Sequence, residues 1–195
     1  MPRVSKEQAS KNHDVIEVAS ARLFREQGFK AVSVNELMSA AGLTHGGFYG
    51  HFESKDALAR VACQKAFDQS RARIEARTGK TQDRPAALRS LVEGYLSIER
   101  RDNLGDGCPA TAFASDISRE PAESPLRAAY IDGVKGLLDQ IGALSSADQP
   151  SERRDTAIVQ LSAMVGALLL ARATSGDDLS EQFLTVVREH IVRST

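Results

Sequence analysis

Donor side chains that suit phosphate oxygens lie close together between Thr44 and Lys55. The hydroxyl of Tyr49 and the imidazole of His51 can each hydrogen-bond a phosphate, a contact that positions a protein on a nucleic acid without reading its sequence. Lys55 stands in the first turn of a predicted helix, where a cation is unfavourable for the helix dipole, and a nearby phosphate would explain its presence. These residue types predict a surface that binds phosphate groups.

Two short helices joined by a tight turn are predicted to position this surface. Ser33 and Glu36 have the spacing of a capping box, in which each side chain bonds the backbone N–H of the other. Gly42 follows where a left-handed residue ends a helix, and Thr44 can cap a second helix over residues 45–52. That helix would be about 12 Å long, close to the width of the major groove of B-DNA, about 12 Å. The pattern predicts a helix-turn-helix, whose second helix reads base edges.

The stretch LMSAAGLTHGGFYGHFESKDAL, residues 37–58, closely resembles the signature of the TetR family of bacterial transcriptional regulators. The glycine, the threonine, the G-x-F-Y-x-H-F core and the S-K-x-x-L tail all match. The resemblance is strong for residues 10–60, and beyond them only the overall plan of helices is similar, with one local motif described below. It implies binding to a double-stranded DNA operator. It also implies DNA contacts at six positions: Thr44, His45, Gly46, Phe48, Tyr49 and His51.

The glycines of the second helix limit how it can read DNA. Gly46 has no side chain, so the backbone there can approach a duplex closely. The family often carries longer polar or aromatic residues where this chain has Gly47 and Gly50, and each glycine costs about 1 kcal/mol relative to alanine in a helix. His45 and Thr44 remain the main candidates for base reading.

Several contacts have alternatives. Ser33, at the front of the first of the two helices, is a further phosphate candidate. Phe48 and Phe52 are favoured as core residues of the small domain over side chains that wedge into DNA. His51 is either a phosphate contact or a plain surface histidine, which leaves Tyr49 as the contact that side-chain chemistry supports best.

The composition of the whole chain is that of an ordinary globular protein, with 195 residues, 42% apolar and 26% charged, and a net charge of −1. Residues 1–60 hold eight Lys and Arg against seven Asp and Glu, so charge supports DNA binding only weakly. Cys63 and Cys108 are the only cysteines and have no metal-ligand spacing, so we predict no metal and no cofactor. No apolar run reaches the roughly 20 residues that span a bilayer, and the polar N-terminus lacks a signal-peptide core. We expect a cytoplasmic protein that does not enter a membrane.

Apolar residues recur at helical spacing along the chain, and no window alternates with a period of two, which predicts an all-α fold. The first helix is predicted to begin at Asn12 or Asp14, after either a basic arm that includes Arg3 or a solvated terminus. Residues 100–107 are predicted to form a loop. A second capping box, Asp178 with Glu181, is predicted to begin the last helix.

A long helix after the helix-turn-helix leads into a polar stretch that suits a linker. We predict a three-helix DNA-binding domain over residues 1–67 and a larger helical domain for effector binding and dimerisation over residues 68–195. The boundary should fall within residues 68–84, where the long helix can physically couple the two parts.

The last two helices are unusually apolar for a surface hairpin, and residues 163–171 carry no charge. Such a helix is buried on more than one side, either inside the domain or at a subunit interface. In the family these helices form a four-helix bundle with the same pair from a second subunit, so the resemblance implies a homodimer through about residues 151–193. A two-fold dimer places two reading helices one DNA turn apart, about 34–36 Å, as a palindromic operator requires.

Cys108 directly precedes Pro109, which favours it as the N-cap of a short helix. A thiolate there would be stabilised by the positive end of the helix. The G-C pair resembles a branch of the family related to N-ethylmaleimide-type repressors, in which such a cysteine can sense electrophiles. The alternative is a small buried residue that lines an effector pocket.

An effector pocket is predicted between the helices of residues 85–170. Four residues besides Cys108 are candidates for its lining, with simple core packing as the alternative for each: Tyr95, Phe113, Tyr130 and Met164.

The leading hypothesis is a dimeric repressor that a small-molecule or electrophile effector releases from its operator. A thiol-dependent enzyme using Cys108 is the rival, but no histidine base can be assigned to it, and phosphate-loop, nucleophile-elbow and H-E-x-x-H motifs are absent. The third hypothesis is a DNA-binding protein that has no effector.

Overall fold

In the computed structural model, which describes residues 6–194, every regular element of the described chain is helical, and the prediction of an all-α fold is confirmed. A short 3-10 helix, called the reading helix below, stands between the second and third α-helices. The elements are α1 (Lys6–Gln27), α2 (Val34–Ala40), the reading helix (His45–Gly50), α3 (Lys55–Thr78), α4 (Arg84–Tyr95), α5 (Ile98–Asp102), α6 (Pro109–Ile117), α7 (Pro125–Gly142), α8 (Pro150–Ala173) and α9 (Asp178–Arg193).

Helix α1 packs against α2 and α3 and begins earlier than the apolar pattern predicts. It starts at Lys6 instead of Asn12 or Asp14, because polar residues extend it through local pairs such as Lys11 Nζ to Glu7 Oε1 at 2.6 Å. Arg3, the start of the predicted basic arm, lies outside the described residues. The buried face of α1 packs on α2 and α3, so the helix forms the floor of the N-terminal head, defined here as residues 6–54.

Two glycines end helices in the left-handed conformation that favours glycine. Gly28 after α1 has φ +83° and Gly42 after α2 has φ +69°, so the predicted role of Gly42 is confirmed. A Cβ on Gly28 would lie 2.8 Å from Asp116 Oδ2. Gly28 therefore also allows a close approach between the head and α6.

Helix α3 is continuous from the head into the rest of the protein. Leu58 packs in the head, whereas Phe67 packs on α7, with its ring centroid 5.6 Å from that of Tyr130. The predicted division between residues 67 and 68 falls inside this helix. The two parts share a rigid element, as expected for physical coupling, and the domain division itself stays a prediction.

Two local predictions for the C-terminal part are wrong. Residues 100–107 are not all loop, because Ser97 accepts a hydrogen bond from Arg100 N at 3.1 Å and caps the short helix α5. The last helix is capped by Asp177, which accepts from Leu179 N at 2.9 Å, and not by Asp178. Ser97 and Asp177 are therefore the N-cap residues of α5 and α9.

Helix α8 is the one described helix that is long and apolar enough, by length and composition alone, to cross a membrane, with a mean hydropathy of 1.6. Its run without charged residues, 156–171, is shorter than the roughly 20 residues that span a bilayer. One face packs on α7 and α9 through buried residues such as Met164 and Leu168. The opposite face leaves four large apolar side chains exposed: Ile158, Val159, Leu169 and Leu170. Packing inside the fold therefore leaves one apolar face of α8 uncovered.

Candidate functional site

The capping box that begins α2 is present in full. Glu36 N donates to Ser33 Oγ at 3.2 Å, and the Glu36 carboxylate accepts from Ser33 N at 2.7 Å and from Ser33 Oγ at 2.6 Å. These bonds to Ser33, with a smaller contribution from Lys55, lower the pKa of Glu36. Because the Ser33 hydroxyl is already engaged beside a carboxylate, its role as a phosphate contact stays a prediction with little geometric support.

The reading helix is wound as a 3-10 helix rather than as the expected α-helix. Gly47 N donates to Thr44 O at 3.0 Å, and the Thr44 side chain makes no capping hydrogen bond. Three glycines in six residues disfavour the α-helix, and a rise of about 2 Å per residue keeps the element about 12 Å long. The element still matches the width of a major groove, and the Thr44 hydroxyl remains available to a ligand.

Adjacent aromatic residues of the reading helix point in opposite directions. Phe48 is fully buried and packs on Phe52, with ring centroids 6.0 Å apart, so the core alternative is correct for both residues. A DNA contact by the Phe48 side chain is therefore wrong, because it has no exposed surface. Tyr49 is 71% exposed and stands edge-on to Phe48 at 5.2 Å. Phe48 thus anchors the helix and directs Tyr49 into solvent.

The other predicted contacts surround Tyr49. Thr44 and His45 are exposed, and space around Gly46 is open. His51 is half-buried, with its ring centroid 6.4 Å from that of His13. Lys55 Nζ donates to Lys30 O at 3.4 Å near the head surface. The structure thus leaves Thr44, His45 and Tyr49 exposed in the reading helix and its N-cap, and their role as DNA contacts stays a prediction.

A second site is a cavity of about 360 Å³ between α3, α4 and α5. Tyr95 and Cys108 line it, as predicted. Four cationic side chains that the sequence reasoning missed also line it: Arg73, Arg77, Lys80 and Arg100. The only signal for Arg73, Arg77 and Lys80 was the charged stretch QSRARIEARTGK, which is equally typical of a solvated helix face, and Arg100 lies in the segment predicted as a loop.

Cys108 is the N-cap of α6, as predicted, with φ −69° and ψ 125°. Its sulfur lies in an electropositive environment, since Arg25, Arg73 and Arg172 all interact with it electrostatically. Burial and then Cys108 raise the pKa of Tyr95 well above its ordinary value, and the Tyr95 hydroxyl lies 3.1 Å from Thr111 Oγ1. Tyr95 is therefore a neutral phenol at the wall of the cavity.

Three predicted lining residues do not line this cavity. Phe113 is fully buried, with its ring centroid 4.5 Å from that of Phe29. Tyr130 donates to Ala110 O at 3.0 Å, and Met164 is buried in the core. The prediction is wrong for these residues because the cavity opens between α3, α4 and α5, whereas these three side chains pack elsewhere in the fold.

Comparisons with known proteins agree with this architecture. Residues 16–62 match the family model described as bacterial regulatory proteins, tetR family. The chain is 28% identical over 183 residues to the HTH-type transcriptional repressor DhaR of Mycobacterium sp. (strain GP1), covering 89% of each chain. The crystal structure of E. coli NemR in its reduced form has a similar fold, with a TM-score of 0.74, 18% identity, and 92% and 96% of the two chains covered. A TetR-family regulator from Cytophaga hutchinsonii gives a TM-score of 0.79 at 18% identity, covering 99% and 98%.

Residues 16–62 are a TetR-family DNA-binding segment, and the chain is a DNA-binding transcriptional regulator.

In this regulator, the head is bonded directly to the segment that carries Cys108. Phe29 N donates to Asp116 Oδ2 of α6 at 3.0 Å. The buried Arg25 of α1 donates to Gly105 O and, through Nη2, to Gln69 Oε1 at 2.9 Å. Cys108 begins α6 and Asp116 lies near its end, so one short helix connects the cavity wall to the head.

Proposed function

We propose that this regulator is a dimeric, cytoplasmic repressor that a small-molecule or electrophile effector releases from a palindromic operator. The observation that carries the proposal is the bonded connection from the cavity wall, through α6, to the head that bears the exposed Tyr49. The name of DhaR, a transcriptional repressor, supports repression as the mode of action.

Operator contact is assigned to the exposed end of the head. Tyr49, His51 and Lys55 supply phosphate contacts, and Thr44 and His45 supply the side chains for base reading. With glycine at three of the six positions, the reading helix offers few other side chains. Specificity therefore depends on close backbone approach and DNA shape as well as on base contacts.

A second copy of the chain is proposed to cover the exposed face of α8 together with α9. Val159, Leu169 and Leu170 recur at helical spacing on α8, and Val186 is 62% exposed on α9. A Cβ on Gly166 would meet no atom within 4 Å, so the same face has room for a neighbouring helix. An exposed apolar stripe of this kind is typical of a subunit interface. A two-fold pair through residues 151–193 would present two heads to one operator.

Effector binding is proposed to act by shifting the two heads relative to each other. Occupation of the cavity, or modification of Cys108, would displace the start of α6, and the Asp116–Phe29 bond would transmit this to the head. A ligand changes operator affinity only if it binds the two head arrangements differently.

The proposal is tested by binding to the promoter DNA beside the protein's own gene, across a salt series. We expect binding that survives excess competitor DNA, with log affinity falling steeply with log salt because phosphate contacts release counterions. Binding that competitor DNA abolishes at every salt concentration would contradict the proposal.

Replacing Tyr49 by alanine should weaken binding to the operator and to unrelated DNA alike, by about tenfold, since a hydrogen bond to a charged group contributes about 1.5–3 kcal/mol. Because Tyr49 is 71% exposed, the thermal midpoint should not change. Fluorescence anisotropy with labelled duplexes measures both affinities. Unchanged affinity would remove Tyr49 from the interface.

Cys108 should react with iodoacetamide faster than a model thiol at neutral pH, because it lines the cavity beside Arg73 and stands at the N-terminus of α6. Cys63 is an internal control, since burial raises its pKa to about 12 and keeps it a thiol. Peptide mass spectrometry gives both rates. A rate at Cys108 no higher than that of the model thiol would exclude the electrophile sensor and leave a reversible effector.

The thiol-dependent enzyme receives no support, because the described lining of the cavity holds neither histidine nor carboxylate that could serve Cys108 as a base.

Replacing Asp116 by alanine should preserve operator binding but reduce its release by the effector or by alkylation of Cys108, because the bond to Phe29 N is lost. Asp132→Ala is the control, since Asp132 makes only a 3.8 Å ion pair with Lys135 on the exposed side of α7. Operator affinity with and without alkylation is measured for each variant. Equal release in Asp116→Ala and the control would show that α6 does not transmit the signal.

A further inference from the structure

The cavity between α3, α4 and α5 has a cationic lining. Four side chains in its wall carry or can carry a positive charge: Arg73, Arg77, Lys80 and Arg100. The described lining includes no aspartate or glutamate. The nearest acidic side chains, Glu99 and Asp106, line an adjoining cleft of about 270 Å³ that shares three of the arginines.

Arg73 has a buried nitrogen without a hydrogen-bond partner. Its Nη2 is buried and has no hydrogen-bond acceptor within the part of the chain that the structure describes, whereas the side chain as a whole is half-buried. Burial and then the neighbouring Arg100 lower the pKa of Arg73, and Asp106 and Cys108 act in the opposite direction. A buried N–H group without an acceptor is unfavourable, and an anion that reaches it would remove that penalty.

The other cations are also available to a ligand. Arg77 makes only a long hydrogen bond, 3.4 Å to Ser90 O, and lies across Gly94, where any Cβ would overlap its guanidinium. Arg100 donates to Asp106 O through Nη1, which leaves its other N–H groups free to bond. Because Gly94 has no side chain, the Arg77 guanidinium can lie at the cavity wall.

We propose that the cavity binds a small organic anion, whose carboxylate or phosphate group pairs with Arg73 and Arg100 and whose apolar body lies against Ile74, Leu91 and Tyr95. Guanidinium groups match both anionic groups with paired hydrogen bonds. The volume of about 360 Å³ lies within the range of small-molecule pockets, roughly 300–1,000 Å³. The inference rests on the proposed function, in which this anion is the effector.

An anion at this place would also act on the head. Arg25 of α1 has a pKa lowered to about 10, first by burial and then by the charge of Arg73. Its Nη1 is a second buried atom without a hydrogen-bond partner in the described chain. Neutralising Arg73 would relieve this repulsion and change the contact of Arg25 with Gly105 O. Effector charge would then reach α1 without any contact between effector and DNA.

The test measures thermal unfolding of the full-length protein by circular dichroism, in buffer free of phosphate and sulfate. The probes are benzoate, phenyl phosphate and the uncharged benzamide at equal millimolar concentration, with sodium chloride added to equalise ionic strength. We expect the midpoint to rise with the concentration of benzoate or phenyl phosphate and not with benzamide. Stabilisation by benzoate identifies a carboxylate site, and stabilisation by phenyl phosphate a phosphate site.

Arg73→Gln should weaken anion binding by at least about tenfold, the usual consequence of losing a charge-assisted hydrogen bond. Arg119→Gln is the matched control, because Arg119 is exposed and its side chain bonds only Ser115 among the described residues. If Arg73→Gln does not fold, Arg100→Gln takes its place with the same expected loss.

Three results would overturn the proposal: no shift with either anion, an equal shift with benzamide, or unaltered anion binding in the arginine variants. Operator binding is measured on the same samples. If operator binding is intact and any of these results is found, the anion-site proposal is rejected and the proposed repressor function is retained. If anions bind through Arg73 but DNA binding is not sequence-specific, the repressor proposal is rejected and the anion-site proposal is retained.

Discussion

A double substitution of Val159 and Leu170 by glutamate should convert the protein from a dimer to a monomer. Both side chains lie on the exposed apolar face of α8, and a two-fold interface would bring each new charge close to its own copy. Like charges in a dry interface are strongly unfavourable, because each loses water without gaining a partner. Light scattering after size-exclusion chromatography measures the mass directly.

The same variant should lose most of its operator affinity. A monomer presents one reading helix and contacts one half-site, so binding should fall towards the non-specific level, a loss of about 10³-fold or more. Ile131→Glu is the matched control, since Ile131 is 43% exposed on α7 and lies outside the proposed interface. A double variant that remains dimeric would contradict the assignment of α8 to the interface.

Replacing Phe48 by alanine should destabilise the protein by about 3–5 kcal/mol, the usual range when a fully buried phenylalanine is truncated. That is a large share of the stability of a typical domain, about 5–15 kcal/mol. Operator binding should disappear together with the structure of the head, because Phe48 anchors the reading helix on Phe52. Urea unfolding monitored by circular dichroism gives the free energy of unfolding.

Phe48→Leu provides the control for volume, with a smaller loss of stability and partial retention of DNA binding. The contrast with Tyr49→Ala separates anchoring from contact: one variant loses stability and binding together, and the other loses binding alone. If Phe48→Ala kept wild-type stability, the packing of the reading helix described above would be wrong.

The features that sequence predicted well depend on residues close together in the chain. The capping box of Ser33 and Glu36, the left-handed Gly42 and the N-cap at Cys108 each depend on a few adjacent residues. The core role of Phe48 followed from its apolar side chain within a small domain. Interactions between neighbouring residues determine the conformation at such positions, so the local sequence pattern was sufficient to predict it.

The cavity could not be predicted in the same way, because its wall depends on how distant helices pack. Arg73 and Arg77 belong to a helix whose charged pattern is typical of a solvated face, and only the approach of α4 turns them inward. Phe113 was predicted at the cavity, but it packs on Phe29, which is distant in sequence. The 3-10 winding of the reading helix is a third case, since the capping pattern at Thr44 predicted an α-helix and the glycines of this chain override it.

Hydrogen exchange followed by mass spectrometry tests most directly the claim that the reading helix enters the operator. We predict that operator DNA slows exchange of amides from Thr44 to His51, whereas a scrambled duplex of equal length slows them much less. Protection confined to another surface, or equal protection by both duplexes, would contradict the account.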